Sequence, residues 1–485
     1  MRFFRPAPRS PLHSSEGEAA AASPDEAAAQ PATRSDHWIV WDLAWPVIAL
    51  NSLQVVNSLL DSKFVGSLGP ASLTASGAAL NINFLFFSIA FALGTGATAL
   101  VSRFFGANDK DQMIKASRQA VSLSIALGAV AAAIAVVLTP LAARILVEPG
   151  GPAYREMLRY IYPIIVGMPA VFVFSTVAAS LRAIGDTRTP MVVSGFQILL
   201  HILLNYLLMF PTRNVTAFGS EWTIPGAGMG IAGAGTAFSI SAWFAALVYL
   251  PVASRTVLGP VWKVEWIDRV WAWRLIRISV PASISSLIRV TSLFAFSAAL
   301  KYTLEGESAL GAMRVGFSME GIAFMPAFGY MIAASALVGQ SLGARKPERA
   351  ERLAVCATLQ ATAFAVVVSI LFLVYAPQMA RWFVEDPTQM ATATSFLRII
   401  ALTEPMFAIA LVLTGAHQGA GDTVRPMWVA LITSWFLRVP AVWIFAVALR
   451  LNADGAWWVM SLTQAVHGAA MIWLFRSGRW KEKEV

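Results

Sequence analysis

The sequence predicts an all-α membrane protein, with twelve transmembrane helices in two six-helix lobes related by a pseudo-two-fold axis along the membrane normal. Three observations predict it. Of 485 residues, 57% are hydrophobic and only 13% charged, where a soluble domain carries about a quarter charged. Apolar runs of about 20 residues recur along the chain, each long enough as a helix to cross a hydrocarbon core. Finally, Gly185-Asp186-Thr187-Arg188-Thr189-Pro190-Met191 returns as Gly421-Asp422-Thr423-Val424-Arg425-Pro426-Met427, 236 positions later. Leu100-Val101 with Gly106-Ala107 recurs as Leu337-Val338 with Gly343-Ala344, and Pro46, Pro140 and Pro169 match Pro281, Pro377 and Pro405. A near-constant shift across helices, loops and prolines marks an internal duplication.

The spans are read near 39–62, 76–102, 116–143, 156–182, 190–210 and 229–254, then 273–300, 311–341, 351–376, 393–418, 427–449 and 455–476. This divides the chain into a disordered cytoplasmic tail (1–37), an N-lobe (38–255), an interfacial linker (256–272), a C-lobe (273–477) and a cytoplasmic tail (478–485). The first tail is rich in Ala, Pro and Ser and lacks the apolar core of a signal peptide. The linker carries Trp262 and Trp266 with Lys263 and Arg269, an aromatic and basic mixture suited to a membrane interface. Six spans per copy is an even number, so both copies enter the membrane in the same direction and the repeat is parallel.

Lys and Arg set the orientation. One set of connections carries Arg103, Lys110, Lys115 and Arg118, then Arg182 and Arg188, then Arg255, Lys263 and Arg269, then Arg345, Lys346, Arg349 and Arg352. The end of the chain adds Arg476, Arg479, Lys481 and Lys483, whereas the opposite connections are poorer in basic residues and two of them carry acids, Glu305 and Glu307, then Glu385 and Asp386. Both termini are therefore expected in the cytoplasm. The net charge of +9 is read as this topology signal and not as a nucleic-acid surface. The single cysteine, Cys356, excludes an internal disulfide or a cysteine-rich metal site. No HExxH pair, Gly-x-Ser-x-Gly elbow or P-loop argues for an enzyme.

Span 1 holds Asn51, Gln54, Asn57, Ser58 and Asp61; at 100° per residue they fall within an arc of about 120°, one polar face over three turns. Such a face belongs against protein or a watery cavity, since a charge at the bilayer centre costs on the order of several kcal/mol. Span 5 repeats the pattern with Gln197, His201 and Asn205 at i, i+4 and i+8. His201 reads either as a proton relay or as a neutral hydrogen-bonding residue. The second half does not copy this arrangement: Asp61 maps to Phe296, Gln54 to Arg289 and Asn51 to Ser286. Glu320 in span 8 is the expected partner of Arg289. Arg438, His417 and His467 complete the polar residues of the second half, with Glu404, which is expected near the outer end of span 10. The Gly-Asp-Thr turns are read as caps and hinges.

Several motifs resemble those of multidrug and toxic compound extrusion (MATE) transporters. They are Leu43-Ala44-Trp45-Pro46, Phe64-Val65-Gly66 with Leu68-Gly69, Gly94-Thr95-Gly96, and the run Glu320-Gly321-Ile322-Ala323-Phe324-Met325-Pro326-Ala327-Phe328-Gly329. Val338-Gly339-Gln340-Ser341-Leu342-Gly343-Ala344 and both Gly-Asp-Thr turns belong with them. The resemblance covers residues 38–477 and is closer to the DinF-like than to the NorM branch. It implies a central cleft and export of lipophilic, often cationic compounds in exchange for protons or sodium ions, by a monomer in the bacterial inner membrane that needs no cofactor, metal or nucleic acid. Asp61 matches the acid of the family's span 1 motif, where the family has Thr and an apolar residue in place of Ser62 and Lys63. The polar faces, the charged and apolar residues of the second half and the resemblance together point to ion coupling at Asp61, Asn57, Gln54, His201 and Asn205, and a substrate cavity at Asn51, Gln197, Arg289, Glu320, Phe324, Met325 and Phe328. A flippase of a lipid-linked or polymeric precursor, from the wider superfamily, is the alternative.

Overall fold

The computed structural model describes residues 35–217, 220–384 and 386–484. Of the expected tail, residues 1–34 lie outside the described residues, as does Glu385. Six helices form the first half: α1 (Asp36–Gly66), α2 (Pro70–Gly106), α3 (Lys110–Leu146), α4 (Pro152–Ala183), α5 (Arg188–Met209) and α6 (Ile231–Ser254). The second half holds α7 (Arg269–Leu300), α8 (Gly306–Gly343), α9 (Pro347–Arg381), the bent pair α10 (Pro387–Ala401) and α11 (Glu404–Gly419), α12 (Val424–Ala448) and α13 (Asn452–Arg476). With the bent pair counted once, the described residues hold twelve spans. Local chemistry sets their starts. Asp109, Asp268 and Asp386 accept backbone N–H groups of Gln112, Val270 and Gln389, and Pro70, Pro152, Pro347 and Pro387 open their helices, where a missing N–H costs nothing.

Three departures from the expected helices stand out. Span 10 is not continuous: α10 and α11 meet at 57°. Thr403-Glu404-Pro405 is a helix-start sequence, with Pro405 in the first turn of α11, whereas its counterpart Pro169 sits inside an unbroken α4. Span 11 holds two wide π-type stretches, Ile432–Arg438 and Trp443–Ala448, on either side of Pro440, which lacks the N–H that a regular turn needs. Between α5 and α6 stands a hairpin of β1 (Pro211–Ala217) and β2 (Ser220–Ala227). Its β-branched and aromatic residues Val215, Thr216, Trp222, Thr223 and Ile224 are the signal that an all-helical reading passes over.

Both described ends of the chain lie on one face, here the terminal face; the hairpin marks the other. The first helices of the two halves cross over near the terminal face. Val40, Leu43 and Ala44 of α1 pack with Ala327, Tyr330 and Leu337 of α8 and Val412 of α11, while Trp271, Leu275 and Ile278 of α7 join the core of the first half. Pro46 and Pro281 sit just past these crossed segments. Glycines bring α2 and α8 into backbone contact. A Cβ on Gly106 would stand 1.9 Å from the Gln340 carbonyl oxygen, and one on Gly343 2.0 Å from that of Arg103.

The duplicated turns are built as glycine caps, with φ +90° at Gly185 and +80° at Gly421, values a side chain resists. Asp186 accepts the Thr189 N–H at 2.9 Å. Asp422 instead meets His417 Nδ1 and Arg425 Nη1, each at 3.2 Å. Burial alone would raise the Asp422 carboxyl, but the His417 hydrogen bond and the charges of His417, Arg425 and Lys483 hold it below its ordinary value.

Candidate functional site

Among the described residues, the ring, hydrogen-bond and glycine contacts that join the halves fall in the terminal-face portion of the helices. They include Trp41 with Tyr330, Phe91 with Phe328, Gln340 Nε2 on the Ala183 carbonyl at 2.8 Å, and Ile48 against Gly329. Past Phe91 and Phe328, toward the hairpin face, the described residues show no ring contact, hydrogen bond or ion pair between the halves, the arrangement of a cleft open on that side. Phe91, Phe328, Phe324 and Phe407 run as a ladder with centroids 5.5–6.0 Å apart. Phe324, Met325 and Phe328 are half-buried, so the expected apolar wall is the base of this opening.

The polar face of α1 meets α5 at one place. Asn57 Nδ2 donates to Asp61 Oδ2 at 3.4 Å, and Asn205 Nδ2 donates to Asp61 Oδ1 at 2.5 Å. His201 Nε2 stands 3.2 Å from the same Asn205 nitrogen and 3.5 Å from Asp61 Oδ1. With one amide hydrogen on Asp61 and the other on His201, the imidazole accepts at Nε2 and carries its proton on Nδ1. Asn57, His201 and Asn205 are buried, whereas the Asp61 side chain is 33% exposed. The acid is thus held from the protein side and open on the other. The amide oxygens of Asn57 and Asn205 are buried with no partner.

That arrangement has two bonding states. The carboxylate accepts from both amides; the carboxylic acid gains an O–H that can donate to His201 Nε2 or to an orphaned amide oxygen. Protonation therefore changes the bonds that tie α1 to α5. The same oxygens would also suit a small hard cation.

The other expected residues divide. Gln54 lies about two turns from Asp61 along α1, roughly 10 Å, and its side chain is exposed. It does not hold the acid, contrary to expectation, because a spacing of seven shares a face but not a contact. Asn51 is half-buried with its Nδ2 unpartnered. Gln197 turns to α6 and donates to Ser241 Oγ at 3.2 Å. Arg289 is exposed and donates to Ser285 and Ser286 on its own helix. The expected Arg289–Glu320 pair does not form. Glu320 has Arg438 as its electrostatic partner, and Arg438 also donates to Thr463 Oγ1 at 2.9 Å. Arg438 closes the first of the two wide stretches of span 11, Ile432–Arg438.

Glu404 is a second correction. It lies at the bend of span 10, about 15 residues from either end, and not near an outer end. It is fully buried with both oxygens unpartnered, and the neighbouring charge is Glu320. Thr403 beside it bonds Ser461 Oγ at 2.9 Å. Thr433 bonds His467 Nδ1 at 2.7 Å. The second half thus holds its own polar cluster, built from different residues than the first.

The profile of the MatE family matches residues 46–207 and 281–444, one match in each half. The "Probable multidrug resistance protein NorM" of Thermotoga maritima is 26% identical over 454 residues, covering 91% of this chain and 93% of that protein. The "Multidrug resistance protein PmpM" of Pseudomonas aeruginosa is 26% identical over 407 residues, covering 82% and 81%. Among solved structures, a MATE protein in complex with MaL6 superposes with TM-score 0.83 at 20% identity, over 92% of this chain and 98% of that one. An outward-facing multidrug resistance MATE transporter superposes with TM-score 0.82 at 21% identity, over 92% and 97%. With two family matches on a duplicated twelve-helix frame, this chain belongs to the MatE family of multi-pass membrane transporters.

Proposed function

We propose that the protein is a monomeric secondary antiporter that exports lipophilic, often cationic compounds in exchange for protons, with Asp61 as the coupling acid. The observation that carries this reading is the acid itself, open on one side and bound to α5 through Asn205 on the other. A carboxylate there attracts a cationic substrate; its protonated form does not. Proton and substrate then compete for one group or one conformation, which is all that exchange requires. Similarity to proteins named for multidrug resistance supports the substrate class. The aromatic ladder and Met325 offer soft, polarisable contacts to varied apolar bodies.

The test is dye efflux from proteoliposomes under an imposed pH gradient, with a sodium gradient as the second arm. Efflux driven by the pH gradient alone is expected. Efflux driven only by sodium would replace the proton with sodium at the same oxygens. Drug susceptibility of a host lacking its own exporters supplies the cellular arm, because a precursor flippase would give no protection.

The basic connections lie on the terminal face, which we place in the cytoplasm of a bacterial inner membrane. The cleft would then open outward. A cysteine near Gly185, at the exposed Arg188 position, should react with an impermeant reagent from the cytoplasmic side, and one near Glu305 from outside. The reverse labelling would invert the direction of transport.

A further inference from the structure

The hairpin that interrupts the helical pattern brings one cation next to the Asp61 site. Arg213 of β1 stacks its guanidinium over Tyr206 at 4.0 Å and over Phe210 at 4.4 Å from the ring centroids. Phe64, one turn beyond Asp61 on α1, closes the group with its centroid 6.0 Å from both rings. Tyr206 directly follows Asn205, so this layer sits next to the acid on its hairpin side.

The backbone is shaped to place that arginine. An irregularity in the β1–β2 register falls between Pro211 and Arg213, and such bulges re-aim a side chain. Thr212 Oγ1 clasps Gly226 through both its N–H and its carbonyl. A Cβ on Gly226 would stand 2.2 Å from the Phe210 carbonyl oxygen, so only glycine permits the approach. Arg213 Nη2 is buried with no hydrogen-bond partner. A desolvated donor is costly, and the aromatic faces offset only part of that cost.

Beyond the layer lies a cavity of about 470 Å³ at the hairpin face. Leu68, Arg155, Glu156, Arg159, Met229 and Ile231 are among its lining residues. Leu68 follows Phe64 by four residues, in the turn just past the end of α1 at Gly66. Two compartments thus flank the aromatic layer. One is the polar site, whose acid is partly exposed; the other is a vestibule with charged walls.

We infer that Phe64, Tyr206, Phe210 and Arg213 form a stopper that closes a second route from the hairpin face to Asp61. The stopper leaves the cleft as the route to the acid. Exchange stays coupled only if the acid, once turned to the terminal face, has no other path to the water it has left. The rings exclude water, and the guanidinium adds a fixed positive charge that opposes a proton or metal cation entering from the vestibule. Arg155 and Arg159, against Glu156, keep the balance of charge in the vestibule positive.

This inference rests on the reading of Asp61 as the coupling acid, and the experiment separates the two. Proteoliposomes with a trapped pH dye and clamped membrane potential are exposed to an acid step without substrate. Wild-type protein should pass protons slowly. Arg213→Ala and Phe64→Ala should each raise that leak severalfold and lower substrate exported per proton. Arg213→Lys, which keeps charge but loses flat stacking, should fall between. Adding Asp61→Asn to Arg213→Ala should return the leak to the wild-type level, because the open route ends on the acid. A wild-type leak in both single variants would overturn the stopper, as would a leak that survives Asp61→Asn. If Asp61→Asn alone keeps gradient-driven efflux, the coupling reading fails whatever the leak does.

Discussion

Asp61→Asn should reduce gradient-driven dye efflux to that of protein-free liposomes while the protein still inserts and folds. The substitution keeps the size of the side chain and one of the two acceptor oxygens that Asn57 and Asn205 bond, while its new N–H can meet an orphaned amide oxygen once that amide turns. It removes the charge and its titration. Coupling free energies between sites run about 1–3 kcal/mol, or roughly 5–150-fold, and a group that is itself the shared site should lie at the upper end. Loss of roughly 100-fold is therefore expected. Asn205→Ala should cost less, because the carboxylate survives and only its tether to α5 is lost. Glu320→Gln should also cost less than Asp61→Asn, since Glu320 faces Arg438 in the other half of the molecule.

The second large effect is expected at the α2–α8 crossing. Gly106→Val combined with Gly343→Val should lower transport about tenfold or more by forcing apart the ends that hold the cleft open toward the hairpin face. The added carbons would stand 1.9 and 2.0 Å from backbone oxygens, and backbone cannot give way as a flexible side chain does. Overpacking costs about 1–3 kcal/mol per site, so two sites approach the ~5.5 kcal/mol that carries a two-state balance from one side to the other. A cysteine at Leu59, exposed in this state, should become less reactive in the variant. Gly77→Ala is the control, since a Cβ there meets nothing within 4 Å. Wild-type transport by the double glycine variant would show that the crossing does not gate the cycle.

Much of the frame was legible because a bilayer leaves few choices. Backbone groups in hydrocarbon must bond within their own helix, so length and hydropathy define the spans, and the repeated prolines and glycines relate the halves. Asp61, His201 and Asn205 were legible for a similar reason: polar residues on one helical face need a partner face, and two such faces were available. What escaped depends on geometry that periodicity does not encode. Glu404 was placed near an outer end because the helix-start sequence Thr403-Glu404-Pro405 was read inside a continuous span. Its burial at a bend follows from a break in that span. The sequence offers Glu320 as the nearest acid for Arg289, whereas in the folded chain the charge acting on Glu320 is Arg438, and sequence alone does not say which of the two arginines lies closer. Arg213 was passed over because an arginine in a connection reads as solvated; only the hairpin register and the bulge place it on Tyr206 and Phe210.

The central claim is that one carboxyl exchanges a proton for a substrate, and proton release on binding tests it most directly. Purified protein in weakly buffered detergent solution, prepared at a pH where the acid is partly protonated, is mixed with a cationic dye substrate while pH and bound dye are followed together. Wild-type protein should release protons in proportion to dye bound, approaching one per site as the starting pH is lowered, and Asp61→Asn should bind dye with no release. Equal release by wild type and Asp61→Asn would contradict the account and move the exchange to another group.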